Sequence, residues 1–131
     1  MKLSLDLHGV LDDLPGTMKM LTKAVISDGG EVHILTGSTT EKARKELSDL
    51  GFEHRIHFTH VMGLPDWLEE RGYTSISVDP IYGNKMYSDE DWYKGKALYC
   101  QKAQIDLHLD DTIEYGGHFT TPFARLWTKN K

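Results

Sequence analysis

Four stretches of this chain carry groups that handle oxyanions or cations, three of them where an apolar run stops. Asp6 ends the run Lys2-Leu3-Ser4-Leu5 and is followed by Leu7-His8-Gly9. A carboxylate at a strand terminus ahead of a glycine bend is how an open α/β sheet presents a nucleophile or a metal ligand. Thr36-Gly37-Ser38 follows the run Glu31-Val32-His33-Ile34-Leu35, and a hydroxyl with backbone N–H groups at a helix N-terminus suits an anion. Asp110-Asp111 ends a third apolar run, and two adjacent carboxylates repel each other unless a cation is near. Lys94 and Lys96 precede that pair in Tyr93-Lys94-Gly95-Lys96, and either supplies a point charge for an anion.

These groups need elements that bring them to one place. The pattern predicts strands over 2–6, 31–35, 56–59, 74–78, 105–109 and 124–127. Helices are predicted over 13–28, 39–50, 65–71 and 93–103, with Gly51 closing the second. Leu14, Met18, Leu21 and Val25 recur at helical spacing in the first helix. Strands alternating with helices imply an α/β fold, a three-layer Rossmann-like, mostly parallel sheet whose ligand site lies beyond the carboxyl ends of the strands. Asp6, Thr36 and Asp110 would then meet at one rim. Residues 79–92 lack a period and are longer than an ordinary connection, which predicts a flap-like loop.

Composition narrows the classes. A chain of 131 residues with 39% hydrophobic side chains holds one core and one domain, spanning 1–131, with no room for a large cap. A net charge of -5 argues against affinity resting mainly on nucleic-acid phosphates, although a local basic patch stays compatible. The single Cys100 precludes an internal disulfide, and no membrane-length apolar stretch or secretory leader is present. The expectation is a soluble, cytoplasmic protein with no membrane partner.

The order of these stretches resembles the four motifs of the haloacid dehalogenase superfamily of phosphotransferases. Asp6-Leu7-His8-Gly9-Val10 resembles the first, Ile34-Leu35-Thr36-Gly37 the second, a lysine of Tyr93-Lys94-Gly95-Lys96-Ala97-Leu98 the third, and His108-Leu109-Asp110-Asp111 the fourth. With Thr112 following, the acidic pair is similar to that of the small deoxyribonucleotidase-like branch, and the layout is similar to short phosphatase-like proteins of phages. The resemblance implies a Mg²⁺-dependent phosphatase working through an aspartyl-phosphate on Asp6. Asp6, Asp110, Asp111 and the backbone carbonyl of His8 would hold the metal, and Thr36, Gly37, Ser38 and Lys94 would bind the phosphoryl group. Lys96 is favoured over Lys94 as the motif lysine because it stands near the start of the helix that leads to Asp110.

Physical chemistry is consistent with those roles. A phosphomonoester carries nearly two negative charges, so a carboxylate attacks phosphorus only when a divalent cation and hydrogen-bond donors offset the repulsion. Mg²⁺ prefers one or two carboxylates, substrate oxygens and waters. The departure lies at position 8, where most phosphatases of the superfamily carry a second aspartate as acid and base. An imidazole can do that work, since its ordinary pKa of about 6.5 is near operating pH. Three readings stay open: a working phosphatase, a weak or inactive phosphate-binding module, and another reaction on the scaffold such as C–P or C–halogen cleavage. A bare core leaves its site open to bulky phosphates, so a nucleotide or a polynucleotide terminus is the expected substrate.

The other chemistry-bearing residues have plainer readings. Asp12 and Asp13 would cap the first helix. His54, His57 and His60 recur every three residues, which in a strand sends alternate members to opposite faces, so no shared zinc is expected. His108 reads as a core histidine, Cys100 as a small buried hydrophobe, and Trp67, Trp92 and Trp127 as packing residues. Trp92, with Tyr82 and Tyr87, would stack on a substrate ring if the loop folds over the site.

Overall fold

The structure is a computed structural model and describes residues 1–128. It is a three-layer, Rossmann-like α/β fold whose central sheet has five parallel strands in the order β3-β2-β1-β6-β7. These strands are β1 (Lys2–Asp6), β2 (Glu31–Thr36), β3 (His60–Gly63), β6 (Leu107–Asp110) and β7 (Phe123–Arg125). A separate antiparallel pair is formed by β4 (Ser77–Val78) and β5 (Lys85–Met86). The helices are α1 (Pro15–Ser27), α2 (Thr40–Asp49), α3 (Leu64–Glu70), α4 (Asp89–Ala103) and the short α5 (Ile113–Gly116). Among the described residues no helix is long and apolar enough to cross a membrane.

Alternation along the strands sorts the two faces. Leu3, Leu5, Val32 and Ile34 are buried with Met18 of α1 and Ala43 and Leu47 of α2 on one side. Leu35 and Met62 are buried with Leu64, Trp67 and Leu68 of α3 and Cys100 of α4 on the other. Each fully buried leucine contributes about 1.5–3 kcal/mol. Helix ends follow local chemistry. Thr39 caps α2 by accepting from the Lys42 N–H at 3.3 Å, and Ser88 caps α4 by accepting from the Asp91 N–H at 3.2 Å. Asp89, Glu90 and Asp91 in the first turn of α4 complement its dipole, so that helix starts four residues before the expected 93.

Several expectations are corrected. The third main-sheet strand is 60–63 and not 56–59, because the chain there is turned: Arg55 has φ 73° and the His57 N–H returns to the Glu53 carbonyl at 2.8 Å. Residues 74–78 supply no main-sheet strand; Ser77 and Val78 pair with Met86 and Lys85. The 79–92 segment is therefore half of a hairpin followed by the start of α4, and not an irregular loop. Neither Asp12 nor Asp13 caps α1, whose cap position is Leu14 without a side-chain bond. Asp12 instead accepts from the Gly9 N–H at 2.6 Å. Leu21 is 39% exposed and Trp127 is 68% exposed, so neither packs as the spacing suggested.

Candidate active site

The chain runs outward from β1 to β2 to β3, then returns to lay β6 on the other side of β1. The carboxyl ends of β1 and β6 thus flank a switch point, where open α/β sheets form their ligand crevice. Asp6 ends β1 and Asp110 ends β6. Between them stands Lys96 of α4, with Nζ 3.1 Å from Asp6 Oδ1 and 2.9 Å from Asp110 Oδ2. All three are buried, Lys96 with 1% of its surface exposed. The ammonium also sits 4.2 Å from the Tyr115 ring centroid, a cation–π contact that helps replace lost hydration.

Behind Asp110 lies a group that sequence reasoning read only as core. His108 Nε2 is 2.9 Å from Asp110 Oδ2, and its Nδ1 is 2.6 Å from Ser4 Oγ. The connectivity Ser–His–Asp looks like a hydrolytic triad, but Ser4 has no exposed surface and no substrate can reach it. Burial lowers the His108 pKa despite Asp110, so the ring is neutral. It donates from Nε2 to Asp110 and accepts the Ser4 hydroxyl proton at Nδ1, which makes His108 a positioning residue. The signal for it was the period of two: Ser4 and His108 are direct cross-strand partners and Asp110 shares their face.

Electrostatics separate the two aspartates. Burial, reinforced by Asp110 and by a hydrogen bond with Asp111, pushes Asp6 up to about 8 against the pull of Lys96. Burial also acts on Asp110, but His108 and Lys96 outweigh it and hold that carboxyl well below the usual range. Lys96 moves above its ordinary value because the two carboxylates overcome its desolvation. That rise comes from Asp6 first and Asp110 second, so both carboxylates keep Lys96 charged.

Asp6, Asp110 and Asp111 offer carboxylate oxygens within 4.8 Å of one another, a hard donor set that fits Mg²⁺. The approach of Asp111 depends on Gly9, which has φ 88° and would place a Cβ 2.2 Å from Asp111 Oδ2. The backbone makes a wide turn there, with the Asp12 N–H returning to the Leu7 carbonyl at 3.2 Å. Gly9→Ala is expected to displace Asp111 and weaken Mg²⁺ binding by about 10–100-fold, the range for loss of groups that support a metal site. Isothermal titration with Mg²⁺ checks this, and unchanged affinity would remove Asp111 from the site.

The remaining predicted residues divide. Thr36 is buried at the end of β2, one position past Leu35, the partner of Asp6. Its Oγ1 accepts from the Ser38 N–H at 3.2 Å, so that amide already has a partner. Gly37 and Ser38 line a cavity of about 500 Å³ whose walls include Lys42, Lys85, Tyr87 and Trp92. A Cβ at Gly37 would meet the Trp92 ring at 3.2 Å. Tyr82 is not a wall of this cavity and is 79% exposed. His8 is exposed, with Nε2 2.5 Å from Glu46 Oε2 of α2. Lys94 is exposed and bonded to Glu90 at 2.6 Å, outside the cluster that Lys96 joins. His54, His57 and His60 do not converge: His57 accepts from the Glu53 N–H at 2.9 Å, His54 reaches the Thr59 carbonyl, and His60 stacks on His33. No protein-family model matches this sequence, and no curated protein sequence matches it.

Proposed function

We propose that the chain is a Mg²⁺-dependent phosphomonoester hydrolase that works through an aspartyl-phosphate on Asp6. The observation that carries this reading is the convergence of Asp6, Lys96 and Asp110, 90 and 14 residues apart along the chain, within hydrogen-bond distance at the switch point of the sheet. When bound among Asp6, Asp110 and Asp111, Mg²⁺ would supply positive charge that holds Asp6 ionised and offsets the charge of the phosphoryl group.

The chain's own residues supply the rest. The Asp6 carboxylate forms a bond to phosphorus as the ester P–O bond breaks, and the leaving oxygen takes a proton from His8. Water then attacks the phosphorus of the acyl phosphate, giving its proton to His8 and returning Asp6 with free phosphate. Glu46 orients the His8 ring through its contact at Nε2. Lys96 stabilises the charge that develops on the phosphoryl oxygens, and Thr36 with the Gly37-Ser38 turn binds them. The cavity beside that turn has Trp92, Pro65 and Met86 as apolar walls, with Lys42, Asp89 and a Lys85 that is paired with Glu69 as its charged ones, which suits a leaving group that carries a flat ring. A nucleotide or a polynucleotide end has that chemistry.

The test is release of inorganic phosphate from p-nitrophenyl phosphate and nucleoside monophosphates with Mg²⁺. Turnover is expected with Mg²⁺ and lost in chelator, and His8→Ala is expected to lower kcat by about 100-fold or more, the usual contribution of a positioned acid–base group. Saturable phosphate binding without any turnover would leave a binding module in place of an enzyme. Turnover that appears only in His8→Asp would show a disarmed site.

A further inference from the structure

A second ligand set gathers toward the other end of the sheet, away from Asp6. His33 and His60 are direct partners across the parallel pair β2 and β3, and Glu31 precedes His33 by two residues on the same face. Glu31 Oε1 is 2.9 Å from His33 Nε2 and 3.8 Å from His60 Nδ1. One ligand atom from each of the three lies within 4.8 Å of the others. We propose that Glu31, His33 and His60 form a site for a borderline divalent transition-metal ion, Zn²⁺ foremost, independent of the phosphatase reading.

The donor set selects the ion. Two imidazoles and one carboxylate suit Zn²⁺ and its neighbours, whereas Mg²⁺ favours oxygen donors and waters. Bonds of about 2.0–2.1 Å around a tetrahedral ion put neighbouring ligand atoms roughly 3.3 Å apart, between the two separations that Glu31 makes with the histidines. The site is also supported from behind. His33 is buried, and its Nδ1 is 2.6 Å from the Tyr99 hydroxyl on α4. With Nε2 given to the metal, Nδ1–H donates to the Tyr99 oxygen, the arrangement that fixes a metal-bound histidine in one tautomer.

One side chain has to move. The His33 and His60 rings stack with centroids 4.1 Å apart and planes 7° from parallel, so their lone pairs run side by side. His60 is half exposed, and beyond that stack and the Glu31 contact it is tied by a hydrogen bond with Thr59 Oγ1, 2.9 Å from Nδ1, so it can turn to close on the ion. Lys2 Nζ lies 3.8 Å from Glu31 Oε2, the carboxylate's other oxygen, so the ion and the ammonium use opposite sides of the group. Because the ligands come from both β2 and β3, the bound ion ties an edge strand to the sheet and stabilises the folded chain in proportion to its occupancy.

Co²⁺ titration in millimolar Mg²⁺, added to compete at the Asp6, Asp110 and Asp111 cluster, tests the proposal. The wild-type chain is expected to develop visible d–d bands that Zn²⁺ abolishes. His60→Ala and Glu31→Gln alter partly exposed side chains and leave the fold intact by circular dichroism. Each is expected to lose the bands and to weaken Zn²⁺ binding by more than about 100-fold, beyond the usual effect of removing a supporting group. His54→Ala, on the turn before β3, is expected to change nothing. Absence of bands in the wild type, or bands that persist in His60→Ala, would overturn the proposal.

Discussion

Asp6→Asn is expected to have two opposite effects: the proposed phosphatase turnover falls by on the order of 10⁴-fold or more, as for loss of a covalent nucleophile, while the metal-free fold gains stability at pH 8. The second effect follows from Asp6 having a pKa of about 8 in the folded chain against an ordinary value of 3.8. Between those values the folded state holds a proton that the unfolded state has released, so stability declines as pH rises through the window. Asparagine has no proton to lose. In chelator, the wild type should therefore weaken relative to the variant between pH 5 and pH 8, with a difference of about 2–5 kcal/mol at pH 8. Urea unfolding at the two pH values measures it. Parallel curves would mean that Asp6 is ionised without a metal, and the burial argument would fail. Saturating Mg²⁺ should close the gap, because it binds the ionised wild-type site and stabilises it. Together the two readouts separate a nucleophile held at an energetic disadvantage from a carboxylate that merely helps the fold.

The fold was legible where local rules and tertiary demands agreed. Asp6, Thr36 and Asp110 each end an apolar run, and a parallel sheet sends such ends to one rim, so their meeting followed from pattern alone. The order of the strands did not. Whether β6 lies beside β1 or beyond β3 depends on packing across the sheet, yet that choice creates the switch point. Helix geometry separates the two lysines: two residues apart on α4, Lys94 and Lys96 point about 200° apart, one to Glu90 and solvent, the other inward to Asp6 and Asp110. Where turn chemistry or a short pair intervened, as at Arg55 and in the β4–β5 hairpin, periodicity misplaced the strands.

Histidines were the least legible residues. His33, Ser4 and His108 lie in register across three neighbouring strands on the face that α4 covers, a polar row through an otherwise apolar layer. Nothing in the spacing of His54, His57 and His60 reveals that His60 belongs with His33, because that contact crosses strands 27 residues apart in the chain. Buried polar groups persist only with partners, and here the partners are divided: Ser4 and Asp110 serve His108, while Tyr99 and Glu31 serve His33. Such a row lowers core stability relative to apolar side chains, so its presence points to positioning demands at both ends.

Lys96→Met should be the most damaging single change to stability. The methionine fills similar volume, so the loss is of charge and hydrogen bonds, not of packing. It leaves Asp110, whose carboxylate is ionised and has no exposed surface, supported among the described residues by His108 and by the Thr112 N–H at 3.1 Å. Removing one member of a buried ion pair typically costs about 3–5 kcal/mol. The pH dependence has a definite sign. Asp110 is held below its ordinary value in the wild type, so its contribution is present above the unfolded carboxylate pKa of 3.8 and is lost as pH falls below it. Lys96, held above 10.5, adds stability throughout the neutral range. The gap between wild type and variant should thus be widest near pH 7 and shrink below pH 4. Mg²⁺ should restore part of the loss, since a dication among three carboxylates replaces the missing ammonium, while turnover stays depressed by about 100-fold or more without the charge opposite the phosphoryl oxygens. Chemical denaturation with and without Mg²⁺ at both pH values provides the measurement. A variant as stable as the wild type in chelator at pH 7 would show that Asp6 and Asp110 do not depend on Lys96, and the ion cluster at the switch point would lose its organising charge.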